Sequence, residues 1–208
     1  MLVKNGSLNY ALCQGIVRGS VFSPQEGIVK MNLQVKDTRK NPNTNRYPMF
    51  ILNFTGYGDV AEQMKACQDR SIVLLRYHLG NRVKINLATG ISTIEEEMIV
   101  DEIIATPHES RNRIAYLNKG FFQGVYIGTV LQPNADGIYN VSVLLEDEQK
   151  KNKTHLHFMV YGVLGEHIIN TFHKGETVLI EYKVEKSKRT LADGSGEYFT
   201  NYVIERIG

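Results

Sequence analysis

The chain repeats itself, and a repeat on the scale of a small domain demands two copies of one fold rather than one larger fold. Gln14, Gly15, Gly19 and Pro24 recur as Gln123, Gly124, Gly128 and Pro133, all displaced by 109 positions. Further on, Ile28, Met31, Leu33, Val35 and Asp37 correspond to Ile138, Val141, Val143, Leu145 and Asp147 at a displacement of 110. Gly56 then matches Gly162 at 106, and Val100, Glu102 and Ile104 match Val203, Glu205 and Ile207 at 103. A drifting offset between fixed blocks means loops of different length between conserved elements, as when a duplicated domain diverges.

Each unit reads in the same order. Two strands come first, "QGIVRGSV" and "GIVKMNLQV" in one half, "QGVYIGTV" and "GIYNVSVLL" in the other, joined near a Pro and a Gly. A polar loop leads to a third strand ending at a glycine, "MFILNFTG" or "HLHFMVYG". One short amphipathic helix follows, near Val60 to Cys67 or Gly165 to His173, and then a fourth strand, "SIVLLRYH" or "TVLIEYKV". A hairpin excursion and a last strand, "EMIVDEII" or "YFTNYVIERI", close the unit. Five strands with one helix between the third and fourth is the order of an OB-fold barrel, whose second and third strands form a common nucleic-acid face. The expected fold is therefore all-β with short helices, as tandem five-stranded OB-fold barrels. The expected boundaries are 1–105 for a diverged first barrel, 106–120 for a polar linker and 121–208 for the second barrel.

Composition narrows the function classes. With 42% apolar and 22% charged residues the chain is a soluble globular type, and a formal charge of +2 leaves any attraction to polyanions to local patches. No apolar run reaches the roughly 18 residues of a membrane span, so no membrane partner is expected. Cys13 and Cys67 lie far apart with no CxxC, which suits buried free thiols in a reducing, cytoplasmic setting. Neither a phosphate-cradling loop nor a GxSxG or HExxH motif occurs, so an enzyme is not expected, nor any cofactor.

The second unit carries a family resemblance. From Thr154 onward, "THLHFMVYGVLGEHIINTFHKGETVLIEYKVEKSKRTLADGSGEYFTNYVIERIG" resembles the core of bacterial-type single-stranded DNA-binding proteins. The shared features are a strand ending in aromatic-Gly, a helix beginning near a Glu, Lys-Gly, a Val-rich strand, and a long basic hairpin with "DGSGEYFT". The first unit is similar more weakly, through "GIVRGSVFSP" and "FTGYGDVAEQM". In that family two aromatics on the third strand stack on bases, and the resemblance places them at His155 and Tyr161. The corresponding first-unit positions fall on Met49 and Thr55, so that half is expected not to stack directly. Two barrels per chain resembles duplicated bacterial versions that pair as homodimers. The end at "IERIG", without an acidic tail, looks more like phage or mobile-element versions. The partners implied are single-stranded DNA, a second copy of the chain, and replication or recombination proteins.

Sequence-indifferent single-strand binding needs flat side chains for bases and cations along the backbone path. In the first unit the candidates are Lys30 and Lys36 on the second strand, with Arg39, Lys40, Arg46 and Tyr47 in the loop after it. In the second unit they are Lys151, Lys153, His155, His157 and Tyr161 around the third strand, and Lys183, Lys186, Lys188, Arg189 and Tyr198 on the long hairpin. Leu156, Phe158 and Val160 alternate with His155, His157, Met159 and Tyr161, so the imidazoles and the phenol share an outward face. That face is a stacking platform or an ordinary solvated sheet surface. A metal at His155 and His157 needs two further ligands, and none is expected. Three consecutive glutamates, Glu95 to Glu97, are poor chemistry for a strand facing phosphates. The reading these features favour is sequence-independent single-stranded DNA binding in replication, recombination or transfer. The alternatives are a protein-interaction or dimerisation module, and an RNA-binding protein.

Overall fold

The computed structural model describes residues 8–19, 21–37, 40–41, 43–85, 90–105, 117–132, 137–147, 152–190 and 194–208. Arg39 and Lys151 lie outside these, as does most of the expected linker. The chain divides into two compact units, one of residues 10–119 and one of residues 120–208 together with 1–9.

The first unit is built from β1 (Asn9–Val17), β2 (Phe22–Gln25), β3 (Ile28–Lys36), β4 (Met49–Tyr57), α1 (Gly58–Lys65), β5 (Ile72–Ile85) and β6 (Ser92–Ala105). β1 pairs with β3, β3 with β4, β4 with β6, β6 with β5 and β5 with β1, so the ring closes. Every pairing is antiparallel except that of β4 with β6. Short β2 pairs only with β3, outside the ring.

The second unit repeats the ring with β7 (Asn118–Leu131), β8 (Ile138–Asp147), β9 (Asn152–Tyr161), α2 (Val163–Thr171), β10 (Thr177–Thr190) and β11 (Gly196–Ile207). β7 pairs with β8, β8 with β9, β9 in parallel with β11, β11 with β10 and β10 with β7. Both units are closed five-stranded OB-fold barrels, and closure leaves the ring without an open edge. The excursions foreseen before each last strand are continuations of the paired strands: Ile85 still faces Ser92, and Thr190 still faces Gly196.

The repeated Gln-Gly has a steric cause. A Cβ on Gly15 would stand 2.9 Å from the Gln34 carbonyl oxygen, and one on Gly124 would stand 2.7 Å from that of Leu144. Only glycine lets the first strand bend this close to its neighbour. Inside the rings, aromatics fill the barrels. Phe54 meets Tyr77 edge-on at 5.1 Å, and the equivalent Phe158 meets Tyr182 edge-on at 5.3 Å, with Phe122 and Tyr202 completing the second cluster. Cys13 and Cys67 are free thiols; burial pushes the fully enclosed Cys13 thiol up to about 12.

Register corrects the expected alignment of the halves. Ile28 faces Tyr57 and Ile138 faces Tyr161, while Phe54 lies beside Met98 and Phe158 beside Tyr202. Gly58 and Gly162 both have positive φ, of 54° and 57°, and each N–H donates to the glycine at the preceding hairpin turn, Gly27 or Gly137. The counterpart of Gly162 is therefore Gly58, not Gly56, and the counterpart of Tyr161 is Tyr57, not Thr55. Gly56 has a different origin, since a Cβ there would overlap Met64 Sδ on the helix packed above it. By the same register the counterpart of Val203, which pairs with Met159, is Ile99, which pairs with Thr55, and not Val100.

Candidate nucleic-acid interface

The second and third ring strands of each barrel present one outward face. On β9, Leu156, Phe158 and Val160 are fully buried, while His155, His157 and Tyr161 are exposed and Met159 is half-buried. Across the ladder His155 faces Leu144, His157 faces Ser142, Met159 faces Asn140 and Tyr161 faces Ile138. The row is polar and polarisable, with Tyr161 at 42% exposure and exposed Lys153 at its other end opposite Glu146.

The hairpin of β10 and β11 extends the second barrel. Lys186 faces Thr200, Lys188 faces Tyr198 and Arg189 faces Glu197. Tyr198 is 64% exposed, and Phe199 is exposed beside it. Partial burial lowers the Lys186 ammonium from its ordinary range. Lys183 is a correction: it is 2% exposed, with Nζ on the Glu185 carboxylate. Ile180, Tyr182 and Val184 keep the inward alternation of β10, and Lys183 is buried on the other face together with its ladder partner Val203. Lys183 does not belong to the exposed cations of the hairpin.

In the first barrel the expected cations gather at one end of the face. Lys36 ends β3 opposite Met49, and its Nζ lies 4.4 Å from the centre of the Tyr47 ring, with Lys40 Nζ at 5.5 Å. Exposed Arg46 completes the turn through its carbonyl, which accepts from Asn41 N–H at 2.8 Å. Half-buried Lys30 lies further along β3, opposite Thr55. Tyr47 thus holds two cations over its ring, an arrangement suited to phosphate capture more than to a free stacking surface.

At the other end stands a group the sequence reading passed over. Tyr57 is 38% exposed at the position of Tyr161. Its hydroxyl donates to Glu97 Oε2 at 2.8 Å, and Thr55 Oγ1 donates to Glu97 Oε1 at 2.6 Å. Burial first, then the bond to Glu97, raises the Tyr57 phenol to about 12. Thr55 itself is buried. Arg82 reaches Glu95 at 3.6 Å and Glu97 at 3.9 Å, and Lys84 bonds Glu95 at 2.9 Å, holding the Glu95 carboxyl below its usual range. The Tyr in "TGYG" was the available signal for this position; nothing local announces that Glu97 reaches it.

No protein-family model and no curated protein matches the sequence. Among solved structures, the fold is similar to that of single-stranded DNA binding proteins. The chain is similar to a deletion mutant of the single-stranded DNA binding protein from Thermus aquaticus, with a TM-score of 0.71 and 16% identity over 97% of this chain and 94% of that one. The wild-type protein of the same organism gives a TM-score of 0.70 at 16% identity, over 97% and 92%. At such identity the likeness is one of fold.

Proposed function

We propose that the chain binds single-stranded DNA without regard to sequence, as a non-enzymatic protein of replication, recombination or transfer. The observation that carries this is the row His155, His157, Met159 and Tyr161, turned outward on the strand face that OB-folds offer to nucleic acid. Bases stack on the imidazole and phenol, and phosphates exchange counterions at Lys153, Lys186, Lys188 and the Lys36, Lys40 and Arg46 cluster. The fold likeness to a protein whose name states this activity supports the reading. We place its work in the cytoplasm, as a homodimer supplying four barrels. No helix among the described residues is long and apolar enough to cross a membrane. Fluorescence polarisation with single-stranded DNA, duplex DNA and RNA of equal length, at two salt concentrations, tests the choice of ligand; a preference for duplex or for RNA overturns it. Light scattering tests the dimer.

A protein-interaction role for the first barrel is the second reading. It is favoured by Val83, Ile91 and Ile94 on the first hairpin, 62%, 62% and 72% exposed. Removing Arg39, Lys40 and Arg46 together separates the two. As a DNA contact, the cluster should lower affinity at low salt when lost and flatten the salt dependence by about 0.7 per phosphate contact. Unchanged titration curves for oligo-dT would assign this end of the first barrel to another partner.

A further inference from the structure

We propose that Glu97 weakens DNA binding by the first barrel, and that the exchange of Glu97 for Asn201 at the equivalent position makes the second barrel the stronger binder. The inference rests on the reading of the chain as a single-stranded DNA binder and adds a division of labour between its barrels. Equivalence comes from the ladders. Glu97 precedes Met98, which lies beside Phe54, and Asn201 precedes Tyr202, which lies beside Phe158.

The two side chains do opposite things. The Glu97 side chain is 10% exposed and takes the hydroxyls of Thr55 and Tyr57 on its two oxygens. It therefore tethers the ring at the aromatic position and places a carboxylate where stacked bases would bring a phosphate chain across the face. Asn201 is neutral, and its Nδ2 donates to Ser187 Oγ at 2.8 Å; the carboxylate across the ladder from it, Glu185, is paired with Lys183. The hairpins follow the same division. In the first, Arg82 and Lys84 are matched with Glu95 and Glu97; in the second, Arg189 faces Glu197 but Lys186 and Lys188 stand opposite Thr200 and Tyr198. Charges matched in this way attract a polyanion far less than the same cations facing neutral residues.

A purely structural role for Glu97, stapling β4 to β6, is the competing account, and paired exchanges distinguish it. E97Q keeps the side-chain shape and an acceptor oxygen while removing the charge; N201E places a charge on the second barrel. Binding of the full chain to oligo-dT is titrated at low and high salt, with thermal melting of each variant. E97Q should bind about three- to tenfold more tightly at low salt, and N201E weaker by a similar factor, with both differences shrinking at high salt. If both variants bind as the parent does at both salts, the proposal is overturned while DNA binding stands, and a lowered melting temperature of E97Q would assign Glu97 to the staple. If the parent itself does not bind oligo-dT, the reading of the chain falls, and the division of labour with it.

Discussion

Replacing Phe158 by alanine is expected to cost the second barrel about 3–5 kcal/mol, the range for removing a fully packed aromatic from a core. Phe158 is completely buried at the point where β9 runs beside β11, and its ring lies 5.5 Å from Phe122, 5.3 Å from Tyr182 and 6.2 Å from Tyr202. Truncation empties the centre of that cluster, and the strands cannot collapse into the gap because each is held on both sides by the ring. Urea unfolding followed by tyrosine fluorescence measures the change. A loss below about 1 kcal/mol would mean that the cluster is loosely packed.

Both barrels could be read from the sequence because their interiors share an apolar alternation, and alternation is what a strand with one buried face imposes. What could not be read is the fine alignment of one half on the other. "TGYG" offers two glycines, one required because helix α1 presses Met64 against Gly56 and one because Gly58 turns with positive φ. A slip of two residues preserves the alternation of a strand, so the pattern cannot choose between them. Thr55 therefore stood in for Tyr57. The displacement over β6 failed differently, since similar residues sit one apart in "IVDEII" and "YVIERI" while the pairings of β4 with β6 and of β9 with β11 make Ile99 the counterpart of Val203. Lys183 was misread because alternation tells which face a side chain takes and not whether that face is covered: it lies opposite Val203, and both are buried. Glu97 was legible only as an unfavourable charge, because its partners lie 42 and 40 residues away.

Alanine at Tyr161 is expected to weaken binding of the full chain to oligo-dT by about 1–3 kcal/mol, the range for removing one base-stacking aromatic. The same change at Tyr57 should do less. Stacking by Tyr57 must compete with the bond its hydroxyl gives Glu97 and must bring phosphates toward that carboxylate, whereas Tyr161 stands on a row of His155, His157 and Met159. The coupling is measurable as a double-mutant cycle: Tyr57→Ala in the E97Q background should cost more than Tyr57→Ala alone, because removing the charge lets the ring bind. Additive effects would separate Glu97 from Tyr57 and leave the carboxylate as a distant screen. If Tyr161→Ala binds as tightly as the parent, the outward face of β9 is not the platform for bases. Binding would then rest on the cations around Tyr47, and replacing Arg39, Lys40 and Arg46 would abolish it.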